Sequence, residues 1–240
     1  MSTGKTYTIT GANRGLGLEF VRQLSPNTSN TIIAAVRSLK GELTDLQALA
    51  SQSRNIHILE CDTSSLASIA AFGTAVTKTL GQDAQLDYLL NNAGINAVRE
   101  QTALDLNEKD VHHHIAVNVI GPAKTVEALL PHLREGSVVM NMTSGLGSCG
   151  KGVIKCAAYS LSKAALNMLT VHQAGELKGK GVKVICMDPG WVKTRMGGEG
   201  AGLEPATSIG GMLKVVHGLA GVNLAGVAKF YAYDGSEVPW

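Results

Sequence analysis

Aromatic side chains are scarce: three Phe, two Trp and five Tyr make up 4% of the 240 residues, which leaves few stacking platforms for nucleic-acid bases. Basic runs are missing too, and the formal charge is only +2, so the chain carries no electrostatic footprint for a polyanion. No apolar run approaches the ~20 residues of a membrane span. The four cysteines, Cys61, Cys149, Cys156 and Cys186, form no CxxC pair and no His spacing suited to zinc. They are expected as reduced thiols; Cys149 and Cys156, near the reactive segment described below, stay open to a packing or a redox role. Residues 1–5 lead directly into Tyr7–Thr10 without room for a signal peptide. The expectation is a cytoplasmic protein acting on small molecules, with neither nucleic acid nor membrane as partner.

What is present is a core. With 45% hydrophobic and 17% charged residues, the length suits one globular domain over residues 1–240. Tyr7–Thr10, Thr31–Val36, Ile56–Leu59, Leu86–Leu90, Val138–Met142, Val182–Met187 and Val227–Tyr231 read as strands, and stretches of helical length separate most of them. Alternating β and α units of this kind predict an α/β fold: a doubly wound parallel sheet with helices on both faces. Between Ala157 and Lys178, Leu161, Ala165, Met168, Leu169 and His172 recur at helical spacing and predict one long helix. After Pro189-Gly190, six glycines crowd residues 197–211 and the periodicity is poor. This predicts a mobile covering loop at about 191–212, with at most a short helix that orders on ligand binding.

The first strand ends at Thr10 and is followed by Gly11-Ala12-Asn13-Arg14-Gly15-Leu16-Gly17. Glycines at a strand-to-helix junction permit a tight turn and let backbone N–H groups approach a pyrophosphate at the positive end of a helix. The spacing departs from GxGxxG. An acidic residue about 20 positions further on would grip the ribose 2′-hydroxyl of NAD, but here the second strand ends Val36-Arg37-Ser38. Arg37, with Arg14 in the turn, would instead attract a 2′-phosphate, which favours NADP(H). Asp62 can accept from an adenine amino group or cap the turn Thr63-Ser64-Ser65. Asn91-Asn92-Ala93-Gly94, closing the fourth strand, combines loop-fixing amides with residues small enough for close backbone approach.

Tyr159 and Lys163 lie four residues apart on the predicted long helix, so they share one face about 6 Å apart along the axis. An unperturbed tyrosine has a pKa of about 10, and a neighbouring ammonium or an oxidised nicotinamide would bring it toward the working range. Trp191 and Met196 are open to either pocket lining or loop packing. Consecutive residues on a helix diverge by about 100°, so His112-His113-His114 cannot share one ligand face, and no metal is expected.

The set Thr10-Gly-x-x-x-Gly-x-Gly17, Asn91-Asn-Ala-Gly94, Asn118, Ser144, Tyr159-x-x-x-Lys163 and Pro189-Gly190 with Thr194 resembles the short-chain dehydrogenase/reductase family over essentially the whole chain. Asn118-Val-Ile-Gly-Pro122, the stretch Pro189–Gly198 and the ending Tyr233–Trp240 look like its carbonyl-reductase and C-factor-like subgroup. The resemblance implies a Rossmann-type domain and an NADP(H)-dependent reduction of a carbonyl to an alcohol. It implies that Ser144 orients the substrate oxygen, Tyr159 exchanges its proton, Lys163 binds the nicotinamide ribose and Asn118 supports a water-linked relay. Gly11, Asn13, Arg14, Gly15, Leu16, Gly17, Arg37, Asp62, Thr63, Asn92, Ala93, Gly94, Tyr159, Lys163, Pro189, Gly190, Val192 and Thr194 are expected to bind the cofactor. Gly145–Ala158 is slightly longer than the commonest family spacing and contains Ser148 as a competitor; Ser144 is preferred because it directly ends the strand. The extra length is expected in the Gly147–Gly152 loop. A homodimer or homotetramer is implied, through the helices near Glu108–Leu133 and Ala157–Lys178. The competing expectation is an NADP(H)-binding regulatory or signalling protein with little turnover.

Overall fold

The computed structural model describes residues 4–224 and 226–240; the first three residues, included in the expected domain and read as leading into the first strand, lie outside them. Seven strands form one sheet: β1 (Thr6–Thr10), β2 (Thr31–Val36), β3 (Ile56–Glu60), β4 (Tyr88–Asn91), β5 (Val138–Met142), β6 (Lys183–Asp188) and β7 (Lys229–Ala232). Their order is β3-β2-β1-β4-β5-β6-β7, and every pairing is parallel. The order reverses between β1 and β4, which opens a crevice beyond their carboxyl ends, where doubly wound sheets bind ligands.

Strand side chains alternate between two cores, as a pleat of period two requires. Ile9, Ile32, Ala34, Leu90, Met140 and Ile185 pack with helices α1 (Gly15–Leu24), α2 (Thr44–Gln52) and α7 (Pro205–Gly218). Ile33, Ala35, Leu89, Val139 and Val184 pack with α3 (Leu66–Leu80), α5 (Gly121–Leu129) and α6 (Ala157–Leu177). Phe20 and Phe72 are fully buried, one in each core, and truncating either to alanine would cost about 3–5 kcal/mol. The strand boundaries shift from expectation by a residue or two. Leu86, for instance, is buried but bonds to the His132 carbonyl, so the β4 ladder begins at Tyr88.

Two expectations need correction. The region Glu108–Leu133 is not one helix: α4 (Glu108–Ile115) passes through a π-helical turn (Ala116–Ile120) into α5 and ends in a 3₁₀ turn (Leu130–His132). The covering segment is loop only up to Glu204, and its last part is the start of a 14-residue helix, α7 at Pro205–Gly218, longer than the short helix expected. Pro205 starts it at a position where no intrahelical N–H is needed, and Ile209, Met212, Leu213 and Val216 bury one stripe. Gly211 is required there, since a β-carbon would stand 2.3 Å from the Tyr233 carbonyl oxygen. The one long helix expected over Ala157–Lys178 is present as α6, and the apolar stripe that signals it lies toward the outside. Leu161 is 48% and Met168 59% exposed, and His172 is exposed, while Tyr159, Ser162, Lys163, Asn167, Thr170 and Gln173 share the buried face with Ala158, Leu166, Ala174 and Leu177. That inner face meets polar residues of the sheet: Asn141 Nδ2 donates to Thr170 Oγ1 and to Gln173 Oε1, each at 2.9 Å.

Candidate active site

The glycine turn is built by close contacts. A β-carbon on Gly17 would stand 2.1 Å from the Gly11 carbonyl oxygen, and one on Gly11 would meet Ala93 at 3.2 Å. Gly11 and Gly15 have φ of +68° and +53°, a region that favours glycine. Asn92 Nδ2 donates to the Thr10 carbonyl at 2.8 Å, and Ala93 N–H donates to Thr10 Oγ1 at 3.0 Å. These bonds lock the ends of β1 and β4 together. Arg14 is the N-cap residue of α1, and among the described residues no side-chain cap accepts from the helix's first turn. Bare N–H groups at a helix N-terminus suit an anion.

Around this turn, Asn13 Nδ2 donates to the Glu42 carbonyl at 3.0 Å, Leu16 is half-buried and Arg37 is exposed just past β2. Asp62 Oδ1 accepts from Ser64 N–H at 2.9 Å and from its hydroxyl at 2.7 Å, while Ser65 caps α3. The aspartate thus makes the turn through Ser64. Thr63 lies against Gly121, where a β-carbon would stand 2.8 Å from the Thr63 carbonyl oxygen. On the far side, Gly190 N–H bonds to Asp188 Oδ1 at 3.1 Å, the Pro189 carbonyl accepts from Ser208 at 2.7 Å and Val192 bridges Leu203. Thr194 packs on Gly15.

Burial dominates the reactive end. Tyr159 is 8% and Lys163 3% exposed, so this is no surface pair. Burial raises the Tyr159 pKa, Ser144's hydrogen bond to the phenol lowers it, and the charges of Asp188 and Cys156 raise it again. Lys163 Nζ donates to the Met142 carbonyl at 2.7 Å and lies 5.6 Å from the Tyr159 ring centroid. Burial brings its pKa down to about 8. The sequence led to a phenol acidified by its lysine; in the folded protein without cofactor, desolvation wins and the phenol stays protonated.

Asn118, in the π turn, is fully buried. Its Oδ1 accepts from Ile95 N–H at 2.8 Å, and its Nδ2 donates to the Ile95 carbonyl and to Ser162 Oγ, both at 2.9 Å. Ser162 in turn donates to the Tyr159 carbonyl at 2.7 Å. Gly94 closes this corner: a β-carbon there would stand 3.2 Å from Asn118 Oδ1 and 3.4 Å from Lys163 Nζ. Ser148 is drawn elsewhere, its hydroxyl donating to the Pro239 carbonyl at 2.5 Å. Cys156 Sγ accepts from Asn96 at 3.6 Å. His112 and His113 are exposed while His114 is buried, its Nε2 accepting from Ala97 N–H at 3.1 Å. Trp191 and Met196 are largely exposed. Lys155 lies 5.6 Å over the Trp191 ring, joining the segment before α6 to the covering segment.

Some contributors are absent from the motif reading. Asn167 Nδ2 donates to the Gly147 carbonyl at 3.1 Å, and its Oδ1 accepts from Thr143 Oγ1 at 2.6 Å. Its signal was available, since Tyr159, Lys163, Asn167 and Thr170 form a polar stripe at helical spacing. Arg99, which binds the Arg195 and Met196 carbonyls, had no such signal.

A profile of the short chain dehydrogenase family matches residues 5–201. The chain belongs to the short-chain dehydrogenase/reductase family. This short-chain dehydrogenase is 38% identical over 159 residues to C-signal of Myxococcus xanthus, covering 65% of this chain and 93% of that protein. It is 32% identical over 259 aligned residues to an uncharacterized oxidoreductase of Schizosaccharomyces pombe, covering 100% and 99%. Among solved structures it resembles an NADPH-bound carbonyl reductase from chicken fatty liver, with a TM-score of 0.90 and 31% identity over 100% of both chains. A Pseudomonas aeruginosa PAO1 carbonyl reductase in complex with NADP has a TM-score of 0.85 at 28% identity, over 99% of this short-chain dehydrogenase and 100% of that chain.

Proposed function

We propose that this oxidoreductase reduces an aldehyde, ketone or quinone to an alcohol with NADP(H). What supports the reading is the burial of Tyr159 and Lys163 together, with Lys163 Nζ 5.6 Å from the Tyr159 ring centroid and Ser144 lowering the phenol's pKa against burial. The turn at residues 11–17, the bare N-terminus of α1 and the ends of β1 and β4 suit a dinucleotide. Arg14 and Arg37 suit its 2′-phosphate. That cofactor supplies the hydride.

The chain's own residues do the rest. Ser144 and neutral Tyr159 donate to the carbonyl oxygen as negative charge grows on it, and Tyr159 gives up its proton. Lys163, held by the Met142 carbonyl, puts a positive charge beside the phenol. Asn118 and Ser162 hold the Tyr159 backbone against the loop at Ile95. The purified protein is expected to oxidise NADPH with a panel of carbonyls, and Tyr159→Phe to remove nearly all of that turnover. Arg37→Asp should shift preference toward NADH. Full turnover by Tyr159→Phe would overturn the proton-donor assignment, and unaltered NADPH selectivity in Arg37→Asp would overturn that residue's role.

The likeness to C-signal favours one second reading, an NADP(H)-binding regulator. NADPH binding without turnover on any carbonyl would support it. For assembly, the outward apolar stripe of α6 supports pairing with a second copy of the chain.

A further inference from the structure

The covering segment meets the glycine turn at Thr194, and a third arginine follows it. Thr194 packs on Gly15, where a β-carbon would stand 3.7 Å from Thr194 Cγ2. The next residue, Arg195, is exposed, and its carbonyl accepts from Arg99 Nη2 at 3.2 Å. The same Arg99 nitrogen binds the Met196 carbonyl. The Arg195 backbone is therefore tied down by Arg99, with its neighbour Thr194 against Gly15. Burial first, and then the charges of Arg195 and Arg37, disfavour the charged state of Arg14.

Among the described residues, no carboxylate forms an ion pair with Arg14, Arg37 or Arg195, and none of the three guanidiniums donates a hydrogen bond within the protein. Like charges gathered without a counter-charge raise the free energy of the unliganded protein. An anion placed among them reverses the sign. Arg14 and Arg37 belong to the fixed rim of the crevice, whereas Arg195 belongs to the segment that covers it.

We propose that Arg195 is the phosphate-binding arm of the covering segment: opposite Arg14 it holds a phosphate of the dinucleotide, so that the cofactor itself fastens the segment over the site. This rests on the dinucleotide reading above. The two phosphate sources, the pyrophosphate and the 2′-phosphate, share this chemistry and differ in experiment, because NADH has only the first. Arg195 would be a binding residue for the cofactor, with no part in proton transfer.

The test compares wild type, Arg195→Gln and Arg195→Lys by thermal unfolding without ligand and by titration with NADPH and NADH at low ionic strength. A charge-assisted hydrogen bond at an exposed site corresponds to about a tenfold change in affinity. Arg195→Gln should weaken NADPH binding by about that factor, while the unliganded variant melts at or above wild type because one repelling charge is gone. Arg195→Lys should recover part of the affinity. An equal loss toward NADH assigns Arg195 to the pyrophosphate, and a loss confined to NADPH assigns it to the 2′-phosphate; either supports the proposal. Affinities for both nucleotides within twofold of wild type would overturn it. So would lower melting of unliganded Arg195→Gln with no recovery in Arg195→Lys, which is the signature of a structural role. A wild-type protein that binds NADH as well as NADPH would refute only the 2′-phosphate preference, and the NADH titrations would still decide Arg195. Binding of neither nucleotide would end both.

Discussion

Asn167, one turn beyond Lys163 on α6, donates to the carbonyl oxygen of Gly147 at 3.1 Å, tying the turn that begins at Ser144 to the helix that carries Tyr159. Its Oδ1 also accepts from Thr143, so the residue on either side of the turn's start is anchored to the same helix. Asn167→Ala would leave buried polar groups unpaired, each costing about 1–3 kcal/mol. The melting temperature should fall by roughly 2–12 °C for each such group in a chain of this size. The kcat should drop by about tenfold while NADPH affinity holds, because the loosened turn carries Ser144 and not the glycine loop. An undiminished kcat would show that the tie does not position Ser144.

Burial keeps the Tyr159 phenol protonated, which is the form needed to reduce a carbonyl and the wrong form for oxidising an alcohol. Reduction should therefore be insensitive to pH across neutrality. Alcohol oxidation should climb with pH, since a raised pKa means the phenolate fraction is still growing well above neutrality. Initial rates in both directions from pH 6 to 10 test this. An oxidation rate already level at pH 7 would mean that bound cofactor fully reverses the effect of burial.

Lys163 titrates at about 8 in the folded protein, against an ordinary value of 10.5. Below 8 both folded and unfolded chains carry the proton, so the penalty for burying the charge is complete. Between 8 and 10.5 the unfolded chain binds more protons, and raising the pH favours the folded state. Compared with Lys163→Met, the wild type should gain about 2 kcal/mol between pH 7 and 9.5, or roughly 4–8 °C in melting temperature. Curves for the two proteins that run parallel over this range would refute a buried, shifted lysine.

Gly17 tolerates no side chain, because its β-carbon would overlap the Gly11 carbonyl oxygen and approach Asn92 Nδ2 at 2.7 Å. Gly17→Ala should push α1 away from the turn and weaken dinucleotide binding by more than about tenfold, since the approach of helix N–H groups to the pyrophosphate is lost. Isothermal titration measures it. Retained affinity would place the phosphates elsewhere.

The exposed stripe of Leu161 and Met168 on α6 predicts self-association. Met168→Glu should lower the mass measured by light scattering, with Tyr159 chemistry intact if the inner face is undisturbed. A wild-type protein that runs as a monomer at high concentration would exclude the assembly.

The strands and the glycine turn were legible because their signals are local: alternating apolar residues, φ values only glycine tolerates, and a four-residue helical spacing that pairs Tyr159 with Lys163. The direction of α6 was not legible. Its most regular apolar stripe lies outside, while the inner face mixes Leu166, Ala174 and Leu177 with polar residues that pair with Asn141 on β5 and Thr143 just beyond it, since buried polar groups require partners. The burial of Tyr159 was likewise not legible, since a sequence displays a neighbouring lysine but not the desolvation that opposes it. Ser148 competed with Ser144 until the chain folded and Pro239 claimed its hydroxyl.

Residue order by itself thus determined the strand pattern, the turn and the reactive pair, each set by backbone geometry over a few positions. Only tertiary structure decided that the Pro239 carbonyl takes the Ser148 hydroxyl, which face of α6 is buried and that the charge of Arg195 acts on Arg14. Those outcomes depend on burial and on charges brought together from distant parts of the chain, and neither quantity exists until the sheet has assembled.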